Sequence, residues 1–374
     1  MFRLTIFFVL WVAVSFAGLP VDISFVVLDL KYNAVDGVKV CEIQPGSYSR
    51  FKGYDLLVGE TGAVANLFTE AVDKYVKKAW YIEYDMTDRE IKKTLQAHPS
   101  WEKASEYGKL LALASFKAVA KQKPKDHKSI DSYHGLVYVR PKRVRSREDF
   151  YHDYPGIILM DGALFPFNSD KYLTNQAMSE VPEAAKLKPA WGLYEKKFSD
   201  YLVRKILSDI PSDILVIKPR RATRGKGVII VEREKLRQTL NLILNKKDSL
   251  KSYDDDSYRY WSNDPAHEFL VEGFAVSDPV VARLLDNKLY DGTMRVVLLM
   301  TYSNGKSHMD WIEGHWKLPE KSIHSSGTLI EKHRSYAEGG HYAEVDEGTK
   351  AAVIKDLEYG FIPLYLKMLG VTDG

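Results

Sequence analysis

Residues Ile214–Val231 read ILVIKPRRATRGKGVIIV, and their reading decides the fold. An apolar, β-branched run (Ile214 to Ile217) leads into Lys218. A basic, glycine-punctuated turn follows, Arg224-Gly225-Lys226-Gly227, and then a second β-branched run, Val228 to Val231. Two such runs around a glycine loop make a hairpin. Glycine permits positive φ and close backbone approach, so the tip can wrap an anion such as a phosphate chain. By itself the loop fits an ordinary hairpin with a solvated basic turn equally well, so the rest of the chain has to decide.

The composition is globular: 374 residues, 45% hydrophobic and 28% charged, long enough for two or three packed subdomains. A net charge of +3 implies no general polyanion-binding tail. With Cys41 the only cysteine, an intramolecular disulfide is excluded, and a bound metal has to rely on oxygen or imidazole ligands. Residues 1–17 have the pattern of a secretion signal. Arg3 supplies a short positive region, Leu4–Phe16 is a mostly apolar run, and Ser15-Phe16-Ala17 fits a small-x-small cleavage site. The run is short for a membrane span, which needs roughly 20 residues, and no later stretch is apolar enough to cross a bilayer. The alternative is a buried first strand or helix.

Behind this segment, Ile23–Leu30 and Val38–Ile43 flank a turn with Asn33 and Asp36-Gly37, which reads as a hairpin. Asp29 falls near the end of its first strand. Glu42 and Gln44 stand two apart on the second and so share a face. Strand-end oxygens from adjacent strands suit a hard cation such as Mg²⁺ beside a phosphate, and they suit an exposed polar edge equally well. Apolar spacing predicts helices over Gly62–Trp80 and Asp88–Ala120, an amphipathic helix over 193–209 ended by Pro211, a helix over Lys235–Leu250 and a closing helix over Thr349–Leu369. Gly135–Val139 and Gly156–Met160 read as strands, as do His267–Phe274 and the hairpin Asp291–Tyr302 with His308–Trp316. The basic loop Arg140–Arg147 has no interleaved aromatic residues for stacking bases, so it reads as a solvated loop and no nucleic-acid partner is expected.

Four separated elements can point at one nucleotide. These are Lys171 after a turn, Lys218 on the strand before the glycine loop, the strand that ends at Glu272, and Arg295 opening a later strand. Their order resembles the ATP-grasp superfamily. The family's Asp-Lys helix start is matched by Asp170-Lys171-Tyr172-Leu173-Thr174, and its second lysine and flexible phosphate-covering loop by Lys218 with Arg224, Gly225, Lys226 and Gly227. The adenine-lining strand is matched by Leu270-Val271-Glu272-Gly273-Phe274, and the γ-phosphate arginine by Arg295 after Asp291. From Lys171 to Arg295 the match covers about a third of the chain. The resemblance implies an α/β (α+β) ATP-grasp fold preceded by a small α/β domain, with ATP and Mg²⁺ as cofactors.

The family's closing strand pair, which carries Asp, a Gly turn and Glu-x-Asn to hold Mg²⁺, has no match downstream of Arg295. Asp29, Asp36-Gly37 and Glu42-Ile43-Gln44 supply such a piece at the other end, with Gln44 in place of Asn. The expectation is a circular permutation in which Glu42 lies near Lys218 and Arg295. The domains expected are a signal over 1–17, a hairpin over 18–60 completing the C-terminal ATP-grasp subdomain, an α/β and helical domain over 61–192, the lid subdomain over 193–290 and the C-terminal subdomain over 291–374.

The family's usual chemistry implies a ligase that activates a carboxylate as an acyl-phosphate for attack by an amine, its partners a small-molecule or peptide substrate and an amine acceptor. Such a reaction needs no enzyme nucleophile, in keeping with the lack of a Ser/His/Asp or Cys/His signature. A phosphotransferase on the same site, or a nucleotide-binding module without turnover, are the alternatives. The five histidines His308, His315, His324, His333 and His341 are spaced too widely for a helical zinc site and read as scattered loop and strand residues. His315–Arg334 either shapes an acceptor site or forms a long surface loop. Trp316-Lys317-Leu318-Pro319 suggests no role beyond packing. An ATP-consuming enzyme behind an export signal implies delivery to a compartment that holds ATP, a retained anchor, or a start that is no signal.

Overall fold

The computed structural model describes residues 21–46, 52–82, 89–105, 114–139, 144, 146–167, 170–222, 225–253, 255–335 and 341–371. The signal read at residues 1–17, Arg224 and most of the basic loop 140–147 lie outside them.

In chain order the strands begin with β1 (Asp22–Asn33) and β2 (Gly37–Pro45). Next come β3 (Ala79–Ile82), β4 (Trp101–Ser105), β5 (Gly135–Tyr138) and β6 (Ile157–Leu159). A third group is β7 (Trp191–Glu195), β8 (Ile214–Pro219), β9 (Ile229–Glu232) and β10 (Glu268–Gly273). The short pair β11 (Val280–Val281) and β12 (Leu289–Tyr290) precedes β13 (Thr293–Ser303), β14 (Lys306–Lys317) and β15 (Tyr342–Glu344). The fold class is mixed α/β, as expected. Among the described residues no helix is long and apolar enough to cross a membrane.

The central feature is an antiparallel sheet in the order β15-β14-β13-β1-β2, in which the first hairpin of the chain pairs with its last long strands. Asp22 faces Tyr302 and the register runs to Leu30 opposite Met294. Alternation along β1 sorts its side chains between two cores. Val26, Leu28 and Leu30, with Val296 and Leu298, pack on the closing helix Glu347–Leu369 through Phe361, Leu364 and Tyr365. Ile23, Phe25 and Val27, with Val297 and Leu299, pack on the helix Ala63–Asp73 through Val64, Phe68 and Val72. Asp29 and Arg295 continue this second face just past its apolar part, so the same alternation that builds the core aims both of them into one site.

A parallel sheet, β4-β3-β5-β6, forms the small α/β domain. Here the helices expected over Gly62–Trp80 and Asp88–Ala120 are corrected. The chain forms helices Ala63–Asp73, Arg89–Ala97 and Ala114–Ala120, with β3 and β4 between them. Every residue of β3 is buried, so it lacks the alternation that marks a half-buried strand. The expected helix over 193–209 is likewise β7 followed by a shorter helix, Asp200–Asp209, whose Ser199 Oγ accepts from Leu202 N at 3.1 Å as an N-cap. A further antiparallel sheet, β7-β10-β8-β9, has its own core, closed by helices Asp200–Asp209 and Leu236–Asn245.

Candidate active site

The β8/β9 hairpin is present as its sequence suggests, Ile214 facing Glu232 and Ile217 facing Ile229. Its loop is anchored from the helix Lys171–Ser179. Asp170 caps that helix by accepting from Tyr172 N and is gripped by Arg220 through Nε at 3.0 Å and Nη2 at 2.9 Å. At the tip Gly225 and Lys226 are exposed, whereas Gly227 is buried and its carbonyl accepts from Trp261 Nε1 at 2.9 Å.

Beneath the hairpin, cations gather on three carboxylates. At the first, Glu272 on β10 accepts from Lys218 Nζ at 2.6 Å, Lys188 Nζ at 2.8 Å and Asn175 Nδ2 at 3.0 Å. The two lysines also reach β2, Lys218 to the carbonyl of Cys41 at 3.2 Å and Lys188 to that of Val40 at 3.3 Å. Asp29 faces Glu42 while Leu30 faces Val40, so Cys41 is the extra residue of a β-bulge. Burial alone pushes the Glu272 carboxyl up, but Lys188 and Lys218 outweigh it and bring its pKa down to about 2. Lys218 is buried too, yet the Glu272 charge holds it cationic; burial and the neighbouring Lys218 push Lys188 down.

At the second, Glu42 stands 3.5 Å from Lys171 Nζ, and Lys171 also donates to the carbonyl of Ala222 in the β8/β9 loop. Gln44 Nε2 bridges Glu42 at 2.9 Å and Asp29 at 3.2 Å. At the third, Asp29 takes a two-pronged contact from Arg295, Nε to Oδ1 and Nη2 to Oδ2, both at 2.9 Å. Lys317 Nζ joins at 2.8 Å from Oδ2. Burial raises the Asp29 carboxyl, and the two cations outweigh burial and hold it well below the usual carboxylate range. Lys317 is pushed down to about 8 by burial and by the charge of Arg295.

The register explains the convergence: Glu42, Asp29, Arg295 and His315 face one another in turn across β2, β1, β13 and β14. Glu42 lies in the same cluster as Lys218 and Arg295, since its charge raises both. Lys171, Lys218, Glu272, Asp29, Glu42, Gln44 and Arg295 are thus brought together. Gly273 and Phe274 continue β10, their N–H groups bonded to Ala190 and Ile214 carbonyls at 2.7 Å and 3.0 Å. The Phe274 ring meets His333 edge-on at 4.9 Å. His333 Nδ1 lies 2.7 Å from Asp291, which is also paired with Lys31 at 2.8 Å. His315 is buried beside Glu313, 2.9 Å away. The segment after β14 carries a short helix, Leu329–His333, and then Arg334, which donates to Ser257 Oγ, in the segment between β9 and β10.

Three site residues escape sequence reasoning: Asn175, Lys188 and Lys317. Lys188 sits in a connection with no pattern of its own. For Lys317 a signal exists: Glu313, His315 and Lys317 put three polar groups at alternate positions of a strand that is otherwise largely apolar at its end.

For Mg²⁺ the donor set can be weighed directly. The Gln44 amide touches both carboxylates, so three oxygen-bearing side chains stand within one hydrogen-bond reach. Both Asp29 oxygens face cations, and Glu42 faces Lys171 with one oxygen and the Gln44 amide nitrogen with the other, so Mg²⁺ held by Glu42 and Gln44 would have to displace these contacts and turn the amide oxygen inward. Among the described residues no group of three or more His, Cys, Asp or Glu side chains is placed to hold a metal ion.

No family model matches the chain, and no curated protein does. Solved structures with a similar fold include one provisionally named a gamma-glutamylcysteine synthetase, from Methylobacillus flagellatus KT. It has a TM-score of 0.41 and 12% identity over 92% of this chain and 88% of that one. Another is D-alanyl-alanine synthetase A from Vibrio cholerae O1 biovar eltor, TM-score 0.37 and 12% identity, covering 78% of this chain and 82% of that one. The D-cycloserine synthetase DcsG has a TM-score of 0.30 and 15% identity, covering 59% of each chain. With TM-scores this low, the functional reading rests on the geometry of the site.

Proposed function

We propose that this chain is an ATP-dependent ligase of ATP-grasp type that joins a carboxylate to an amine through an acyl-phosphate. One observation carries the reading. Five cations from five separate segments of the chain (Lys171, Lys188, Lys218, Arg295 and Lys317) converge on three ion-paired carboxylates beneath a glycine hairpin, with Glu313 the further carboxylate whose charge reaches Arg295. The site therefore has a positive excess in a poorly hydrated place, which suits a polyanion that brings about four negative charges.

In this reading Lys218 and Lys188 neutralise the phosphate chain near the lid, Lys171 bridges to the loop, and Arg295 with Lys317 takes the far end. Bound Mg²⁺ supplies further charge neutralisation on the phosphates. Glu42 and Gln44 would hold it. A substrate carboxylate oxygen attacks the terminal phosphorus and ADP leaves; the amine then attacks the acyl carbon and phosphate leaves. The chain's part is to position the reactants, screen their charge and, through the lid, exclude water.

Two further readings belong to the proposal. The first hairpin is the closing strand pair of the domain, moved to the front of the chain by circular permutation. Residues 1–17 direct export towards a compartment that holds ATP, and N-terminal sequencing of the mature protein tests that. For the enzyme itself, purified protein is given ATP, Mg²⁺ and a panel of carboxylate and amine pairs while ADP release is followed. Acceptor-dependent release of ADP and phosphate is the expected result, and Lys218→Ala abolishes it. Full turnover by Lys218→Ala would refute the site assignment, and stable phosphate transfer to one substrate would make the enzyme a phosphotransferase.

A further inference from the structure

The cations of the site are arranged in stations, and the last station carries one more cation than its carboxylate needs. Arg295 alone satisfies Asp29, with Nε and Nη2 each placed 2.9 Å from a different carboxylate oxygen. Lys317 reaches Asp29 as well, from β14, one strand farther out, where it faces Thr293 in register. An ammonium group has three donors, and the Asp29 contact uses one of them. The Lys317 side chain is 13% exposed against 6% for Arg295, so it is the more accessible of the two. At the opposite end Lys188 divides its donors between Glu272 and the Val40 carbonyl, and its side chain is only 4% exposed.

From this arrangement we infer that Lys317 is a second contact to the terminal phosphate of the bound nucleotide, held ready for it by Asp29. The inference rests on the nucleotide reading above and deepens it. Along the site, Glu272 and its lysines stand at β8 and β10, Glu42 with Lys171 comes next and is joined to Asp29 through Gln44, and Asp29 with Arg295 and Lys317 comes last. A nucleoside triphosphate that begins at β10 thus ends at the Asp29 station, and a diphosphate stops short of it. Lys317 would then distinguish ATP from ADP, which the lysines under the lid cannot do.

The test measures binding of Mg-ATP and of Mg-ADP separately, by calorimetry on the full chain, for wild type, Lys317→Met and Lys317→Arg. Loss of one charge-assisted contact is expected to weaken ATP about 10- to 100-fold and to change ADP by no more than about twofold. Lys317→Arg is expected to recover most of the preference for ATP. Melting of the unliganded proteins serves as the folding control, and Lys317→Gln, which keeps a donor on Asp29, replaces the methionine variant if that one does not fold. Equal weakening of ATP and ADP would mean that Lys317 acts through the structure of the sheet, and unchanged ATP binding would mean that it touches no phosphate. Either result overturns the inference while the nucleotide site stands. A wild-type protein that binds neither nucleotide removes the nucleotide reading itself, and the inference with it.

Discussion

At Glu272 one carboxylate, 3% exposed, accepts from two ammonium groups and an amide. Two lysines could not share that place without it, because each buried charge needs a partner and together they repel. Glu272→Gln leaves both lysines without a counter-charge, so it is expected to cost about 3–5 kcal/mol of stability, measured by denaturant unfolding. A loss below about 1 kcal/mol would show that water reaches these lysines freely. A different residue sets the pH response. Asp22 is fully buried, accepting from Ser24 Oγ at 2.6 Å and Tyr365 Oη at 2.5 Å, with the Ala163 backbone also lowering its pKa and no close hydrogen-bond partner for Oδ1 among the described residues. Burial lifts its carboxyl from 3.8 to about 6. The folded chain therefore binds the proton more tightly than the unfolded chain does. Between about pH 4 and pH 6 this group lowers stability as the pH rises, and above that its full penalty persists. At about 1.4 kcal/mol per pKa unit the penalty is about 3 kcal/mol. Asp22→Asn is expected to be the more stable protein at pH 7 and to lose that lead on acidification to pH 4. A lead that does not change with pH would mean that the carboxyl is not what titrates.

The β8/β9 hairpin can be probed through its two described loop glycines. Both have positive φ, +68° at Gly225 and +72° at Gly227, but their surroundings differ. A Cβ on Gly227 would lie 2.4 Å from Pro219 Cγ and 2.7 Å from Tyr260 Cδ1, whereas one on Gly225 meets nothing nearer than Arg334 Cδ at 4.0 Å. Gly225→Ala pays only for its backbone, about 1–2 kcal/mol, and Gly227→Ala is expected to cost more, because ring atoms must move as well. Comparing the two melting temperatures checks the order, and equal losses would place Pro219 and Tyr260 elsewhere. The same element shows what was legible in the chain. β8, β9 and the loop between them follow from adjacent residues, as do the Asp170 cap and the first hairpin. In contrast, β3, β4 and β7 are short, and β3 is buried throughout, so the period that marks a strand is absent or too brief to read. At the site, Lys171, Lys218, Glu272 and Arg295 could be named because each has a local motif. Lys188, Asn175 and Lys317 matter through partners 84, 97 and 288 residues away; the alternation of Glu313, His315 and Lys317 marks a polar strand face, but no local pattern names those partners.

Taken whole, the molecule puts its first described strand beside its last helix. Tyr365 of the helix Glu347–Leu369 bonds Asp22 at the start of β1, and the helix continues only to a Gly370 cap, with Val371 N bonded to the carbonyl of Leu366 at 3.0 Å. At 1.5 Å per helical residue, Val371 is about 9 Å along the axis from Tyr365, so a short glycine–serine linker can join it to Val21. The order of the chain can then be reversed. A variant that starts at Lys52, runs to Val371, crosses the linker and ends with β1, the turn and β2 at Gly46 keeps every pairing of the five-stranded sheet. Chain ends that lie close together usually tolerate such rearrangement. The permuted protein is expected to melt within about 5 °C of wild type and to bind Mg-ATP within about threefold, a difference well under 1 kcal/mol. In it Glu42 and Gln44 follow Arg295 in sequence, so the hairpin stands where a closing strand pair would. A variant lacking residues 18–46 altogether removes both β1 and β2 from beside β13, and with them Asp29, Glu42 and the residues that these two strands give to the cores on the two faces of the sheet. That variant is expected not to fold. If it folded and bound ATP while the permuted chain did neither, the hairpin would be an accessory to the site and the permutation reading would be wrong.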